Sequence, residues 1–202
     1  ADHYSGVLPY TPDQRTVVTI GAYDGVHRGH QAVIEQVRQI ATETNARSVV
    51  LTFDRHPAEV VRPETAPLLL TDRDQRLELL AATGVDAAVV LPFDDVQSHE
   101  APESFVQRVL VGGLGVRTIV VGDDFHFGHG RHGNVDLLEK LGRIDDFDVR
   151  PLELVARADG IDEPVSSTAI RRALAGGEVE VAAKMLGRDH EVLLERHVGP
   201  VV

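Results

Sequence analysis

The sequence predicts an α/β protein built on a doubly wound parallel sheet, and three observations carry that expectation. Short apolar runs recur at 16–20, 48–53, 87–91, 118–121 and 148–154. Runs without polar alternation suit strands that are covered on both faces. Segments with helical spacing of apolar residues separate them, at 31–44, 72–83, 102–111, 135–141, 168–175 and 179–186. Strands that alternate with helices imply parallel pairing through crossovers. The first run also breaks into a glycine-rich turn directly before a helix. In such sheets ligands bind at the carboxyl ends of the strands, near the point where strand order reverses.

The elements follow in order. Thr16-Val17-Val18-Thr19-Ile20 is β-branched throughout, which favours a strand. Residues 21–30 form the turn, and the helical pattern starts at Gln31. Thr52-Phe53-Asp54-Arg55-His56-Pro57 closes the second strand, with Pro57 fixing a turn. Residues 57–71 hold Pro57, Pro63 and Pro67 and form the longest irregular stretch, expected to act as a mobile flap. Ala158-Asp159-Gly160-Ile161-Asp162 reads as a turn, with 152–156 and 164–166 as hairpin arms. Ser166, Ser167 and Thr168 precede a helical pattern and suit its N-terminus.

Composition narrows the classes. A chain of 202 residues fits one domain with a small lobe, and 43% hydrophobic residues supply a core. With 4% aromatics and no Trp, that core is aliphatic. The absence of Cys excludes disulfides and thiolate metal sites and fits a reducing cytoplasm. No apolar run approaches the ~18 residues of a membrane span, and no leader pattern opens the sequence. A net charge of −12 argues against broad nucleic-acid binding. Lys140 and Lys184 are the only lysines, so no phosphate-binding Gly-Lys-Ser/Thr loop is present.

Residues 21–30, Gly-Ala-Tyr-Asp-Gly-Val-His-Arg-Gly-His, are the strongest chemical signal. Gly21, Gly25 and Gly29 let the backbone approach a ligand. His27 and His30 share one side of an opening helical turn. Free N–H groups and the positive dipole end there favour phosphate. Ser166-Ser167-Thr168-Ala169-Ile170-Arg171 is the second signal: hydroxyls, N–H groups and a guanidinium that can converge on one anion. The alternative, a simple cap with a surface arginine, gives way once the histidine pair is counted. The third is Gly122-Asp123-Asp124-Phe125-His126-Phe127-Gly128, running on to Arg131 and Gly133.

Two further patterns fall in that last segment. Gly128, Gly130 and Gly133 match a dinucleotide fingerprint but sit too far past the strand near Val121. His126, His129 and His132 are zinc-ligand types, yet a glycine-broken loop does not hold them on one face. Acidic pairs such as Asp94-Asp95 read as solvated loop charges.

Together the motifs resemble the FAD synthetase module of bacterial bifunctional riboflavin kinase/FAD synthetases, in the His-x-Gly-His nucleotidyltransferase superfamily. Thr52–Pro57 is similar to that family's Thr-Phe-Asp-Pro-His-Pro, with Arg55 in place of the first Pro. The resemblance implies a Rossmann-like sheet of the nucleotidyltransferase type with a small flap/hairpin lobe. It implies transfer of the adenylyl group of ATP to FMN, giving FAD and pyrophosphate, with Mg²⁺ on the ATP phosphates. Carried over by position, His27, His30, Ser167, Thr168 and Arg171 would act on the phosphates. Gly21, Ala22, Tyr23, Asp24, Gly29, His30, Gly122, Asp123 and Ser166 would contact ATP. Phe53, Asp54, His56, Pro57, Asp124, Phe127 and Arg131 would border FMN.

The motifs span 17–172, 178–188 resembles the module's closing helix, and residues 1–187 are expected to form the transferase domain. In the family a riboflavin kinase barrel follows, with a Pro-Thr-Ala-Asn motif that this sequence lacks. Residues 188–202 are therefore expected to be the tail leading toward that domain, with no kinase activity in this chain. No nucleic-acid or membrane partner is expected. An adenylyltransferase for another phosphorylated acceptor, or a non-catalytic flavin- or nucleotide-binding module, stays open as an alternative.

Overall fold

The computed structural model describes residues 2–5, 14–152 and 160–192. The strands are β1 (Asp2–Ser5), β2 (Thr16–Ile20), β3 (Arg47–Phe53), β4 (Ala87–Leu91), β5 (Val116–Gly122) and β6 (Asp148–Leu152). They form one sheet in the order β1-β4-β3-β2-β5-β6. Every neighbouring pair is parallel. The five expected strands are all present, and β1 adds an edge strand that its mixed Asp-His-Tyr-Ser composition did not announce. Strand order runs outward from β2 in one direction through β3 and β4, then from β5 in the other. The reversal between β2 and β5 opens a crevice at their carboxyl ends, where Gly21 and Gly122 lie.

Helices cover both faces. The principal ones are α1 (Arg28–Glu43), α2 (Pro57–Val61), α3 (Arg73–Ala82), α4 (Asp95–Ser98), α5 (Pro102–Phe105), α6 (Val135–Asp145), α7 (Ser167–Ala175) and α8 (Val179–Leu186). Alternate residues of β2 divide between the faces. Val17 packs with Val33 and Val37 of α1. Val18 and Ile20 pack with Leu138 and Leu141 of α6 and with Val106, Val109 and Leu110. Those last three belong to Val106–Val111, which continues α5 as a π-helical turn. Near Leu70, α7 and α8 build a separate small core of Ile170, Ala173, Met185 and Leu186.

The expected irregular stretch 57–71 is more ordered than the prolines suggested. Pro57 opens α2 behind an N-cap from His56, and Pro63–Thr65 is a 3-10 turn. Proline at a first helical position costs no hydrogen bond, because that N–H would be unpaired anyway. Of the expected hairpin arms, Leu152 ends β6 and 164–166 lead into α7 without strand pairing, while 153–159 lie outside the described residues. Among the described residues no helix is long and apolar enough to cross a membrane.

Candidate active site

β2 is buried along its whole length and delivers the chain to the crevice as the loop 21–27. That loop is strained. Tyr23, Gly25 and Val26 adopt φ of 50°, 83° and 38°. A positive φ at a β-branched residue is a genuine outlier, and such strain persists only where surroundings over-determine it. They do so here. Val26 is in the core, and its carbonyl accepts Gln31 Nε2 at 2.9 Å. The Gly25 carbonyl accepts Arg188 Nη2 at 2.8 Å, and the Tyr23 hydroxyl lies 2.6 Å from Thr19 Oγ1. Burial raises the Tyr23 phenol well above its ordinary value, so it stays protonated.

The loop ends on His27, the N-cap of α1. His27 Nδ1 accepts the His30 backbone N–H at 3.3 Å, which leaves the neutral ring's proton on Nε2. The two imidazoles stack, 3.6 Å between centroids and 14° apart in plane, and Tyr23 lies tilted on His30 at 4.7 Å. Burial, only partly opposed by Asp24, pushes His27 down to about 4. Burial and the neighbouring His27 hold His30 well below the usual imidazole range. Both rings are therefore neutral near pH 7. A neutral imidazole carries one N–H donor and no fixed charge. His30 Nδ1 is buried without a partner.

Asp24 joins three segments far apart in sequence. Its carboxylate is 2% exposed and accepts the Leu70 and Thr71 N–H groups at 3.0 Å and the Thr71 hydroxyl at 3.1 Å. It also pairs with Arg171 Nη2 at 2.5 Å. Thr71 Oγ1 in turn accepts the Gly25 N–H at 3.1 Å. The Asp24 carbonyl accepts Ser167 Oγ at 2.9 Å. Arg171 Nε donates to Leu68 O at 2.6 Å, and its side chain keeps 19% exposure. Ser166 caps α7 by accepting Ala169 N–H at 3.1 Å. Thr168 is exposed at the same end. Asp24 thus ties the loop that leads into α1 to the 68–71 segment and to α7, and a Cβ on Gly29 of α1 would stand 3.4 Å from the Val165 carbonyl just before α7.

The other expected contacts gather beside this centre. Phe53 ends β3 and meets Phe93 edge-on at 5.3 Å. Asp54 Oδ1 accepts Phe93 N–H at 2.9 Å, and His56 Nδ1 accepts Ala58 N–H at 3.1 Å, so both side chains already shape their own turns. Phe127 stacks on Phe125 and pairs through its backbone with Gly133. A Cβ on Gly133 would stand 2.7 Å from the Phe127 ring, so only glycine fits there. Asp123, Asp124 and Arg131 are exposed. In the 128–133 segment His129 stacks on His99 at 5.0 Å, and Gly128 lies against Pro102.

Among the described residues no group of three His, Asp or Glu side chains is arranged to hold a metal. Sequence reasoning missed Arg76, Thr71 and Arg188 as parts of this network. Arg76 had a signal: it shares the buried stripe of α3 with Leu77 and Leu80, where a charge is out of place. The partners of Asp24 had none, since they lie 46 to 147 positions away.

The family model described as FAD synthetase matches residues 10–169. The chain belongs to the FAD synthetase family. Curated relatives agree. It is 41% identical over 192 residues to the bifunctional riboflavin kinase/FMN adenylyltransferase of Pseudomonas fluorescens, covering 93% of this chain and 59% of that one. The protein of the same description from Escherichia coli K12 is 36% identical over 180 residues, covering 89% and 56%. This chain thus spans under two thirds of the length of these relatives. A crystal structure of a macrolide-efflux protein from Streptococcus pneumoniae superposes with a TM-score of 0.75 at 24% identity, over 92% of this chain and 60% of that one. At that identity the match supports the fold alone.

Proposed function

We propose that this chain transfers the adenylyl group of ATP to FMN, releasing pyrophosphate and forming FAD. The observation that carries this reading is the approach of the α1 and α7 starts, with a Cβ on Gly29 only 3.4 Å from Val165 O. Each helix start offers N–H groups beyond the one its cap satisfies, and such groups favour a polyanion. A phosphate oxygen of FMN attacks the α-phosphorus of ATP, and the bond from that phosphorus to the bridging oxygen of pyrophosphate breaks. The attacking oxygen is already anionic, so positioning and charge stabilisation supply the catalysis.

His27 Nε2–H donates to the triphosphate, with His30 stacked behind it. The free Arg171 donors, Thr168 and the first N–H groups of α7 hold the departing pyrophosphate. Gly21, Ala22 and Gly29 give the nucleotide close backbone approach, with Gly122, Asp123 and Ser166 beside it. The geometry favours a supporting role for Tyr23 and Asp24, whose side chains are buried and engaged. Phe53, Asp54, His56 and Pro57 border the flavin, with Asp124, Phe127 and Arg131 across the crevice. Mg²⁺ enters as part of the substrate, on ATP phosphate oxygens. We place the reaction in the cytoplasm, the compartment that suits a chain without cysteine. Residues 1–187 constitute the transferase unit in this reading, and 188–202 lead out of it.

The test is incubation of the purified chain with ATP, Mg²⁺ and FMN, with FAD followed by chromatography and pyrophosphate by coupled assay. Equimolar FAD and pyrophosphate from FMN, and no FAD from riboflavin, is the expected result. ATP binding without either product would refute the reading.

A further inference from the structure

One charged side chain in the crevice has no assigned role and surroundings that a structural residue does not need. Arg76 of α3 is 3% exposed. Its Nη1 donates to Ala22 O at 3.2 Å and its Nη2 to Phe53 O at 2.5 Å, while Nε is buried without a partner among the described residues. None of its hydrogen bonds goes to a carboxylate, and among the described residues it makes no ion pair. Burial penalises the Arg76 charge, and Asp24, Asp54 and Glu59 offset that only in part without pairing with it directly. Met or Leu would continue the apolar stripe of Leu77 and Leu80 without that cost.

What Arg76 touches differs from what Leu77 and Leu80 touch. Ala22 lies in the loop between β2 and α1, and Phe53 ends β3. The same Ala22 carbonyl accepts Thr52 Oγ1 at 3.2 Å, so two residues hold the loop and the strand end in register. A planar fork of donors can span two carbonyls on separate segments, as a flexible ammonium cannot. The guanidinium also touches Ala22, one residue before Tyr23 and two before Asp24, beside the proposed place of a triphosphate.

We propose that Arg76 is a positioning residue that fixes the nucleotide loop against the flavin-side strand end, and so sets the approach of FMN phosphate to the α-phosphorus. The inference rests on the adenylyltransferase reading above. A displacement of about 1 Å between reacting groups can cost on the order of 100-fold in rate. Arg76 does not touch the reacting atoms, so its loss acts on kcat more than on the binding of either substrate alone.

The experiment compares the full chain with Arg76→Met and Arg76→Lys. It reads kcat and both KM values for FAD formation, thermal melting, and the Kd of FMN by flavin fluorescence with and without α,β-methylene-ATP. For Arg76→Met that remains folded at the assay temperature, kcat falls roughly 10- to 100-fold with little change in KM, and the analogue no longer tightens FMN binding. Arg76→Lys restores the charge but not the fork and lies between Met and the parent. A folded Arg76→Met with parental kcat, or one whose only change is a raised KM, overturns the proposal. If Arg76→Met does not fold, Arg76→Lys decides: parental kcat and parental coupling overturn it. A parent chain that forms no FAD would refute the adenylyltransferase reading instead, and the fluorescence coupling would still report on Arg76.

Discussion

Replacing His27 with Gln should make the fold markedly less sensitive to acid. In the native protein the imidazole is 6% exposed and burial pushes it down to about 4. In the unfolded chain it titrates near 6.5. Below 6.5 the unfolded state therefore binds a proton that the native state refuses. Stability falls as pH falls, because the unfolded state binds more protons. The contribution is fully present above 6.5 and is lost progressively down to about 4. That interval, from 6.5 to about 4 at roughly 1.4 kcal/mol per pH unit, amounts to about 3 kcal/mol. Denaturant unfolding at pH 7.0, 6.0, 5.0 and 4.5 measures it directly. The parent should lose roughly 2–3 kcal/mol more than His27→Gln between pH 7.0 and 4.5. His30 remains in the variant and is lowered by burial as well, so part of the acid slope persists. Gln can still accept the His30 N–H through its side-chain oxygen, so the cap at α1 is kept. Parallel stability curves for the two proteins would refute the idea that His27 is held neutral in the native state. So would a parent that becomes more stable as pH falls.

Other perturbations follow from the same network. Asp24→Asn should cost roughly 3–5 kcal/mol, because it leaves the largely buried Arg171 guanidinium without its counter-charge. Hydrogen exchange at the Leu70 and Thr71 amides should accelerate with it, and unchanged exchange there would show that Asp24 does not anchor the flap root. Gly133→Ala places a methyl 2.7 Å from the Phe127 ring. About 1–3 kcal/mol of destabilisation is expected from that overpacking, with weaker FMN binding in fluorescence titration. Parental melting and parental FMN affinity would count against Phe127 as part of the flavin side.

Much of the sheet was legible because its strands are covered on both faces. Burial of both faces leaves no room for polar alternation, so Thr16–Ile20 and Ala87–Leu91 are visible as runs with correct ends. β1 was not, since an edge strand needs little hydrophobicity and Asp2–Ser5 offers little. The short helices failed for another reason. Asp94 has the type of a solvated loop charge, yet its carboxylate accepts Val96 N–H at 2.8 Å and caps α4. Pro57 has the type of a turn-former, yet it opens α2. Acidic residues and proline are start signals as well as breakers, and only the following turn distinguishes the two.

The site shows a deeper limit on what residue types can tell. Sequence pointed to three segments that the structure brings near one another: the glycine loop, the histidine pair and the hydroxyl-rich helix start. It did not supply the division of labour within them. Asp24, in a glycine loop beside two histidines, has the type of a ligand contact. Burial and four donor groups make it the tie between that loop, the 68–71 segment and α7. Ser167 has the type of a phosphate donor, but its hydroxyl proton is directed to the Asp24 carbonyl. His27 has the type of a phosphate donor, but which nitrogen donates is set by the cap it makes through Nδ1, and desolvation leaves the ring neutral. In each case the chemistry of the side chain was readable and its availability was not. Availability depends on partners brought together only by the reversal of strand order between β2 and β5. Buried nitrogens that still lack protein partners are therefore a better guide to where a substrate binds, and among the described residues these are His30 Nδ1, Arg76 Nε and Arg188 Nη1, each on a side chain that flanks or contacts the 21–27 loop.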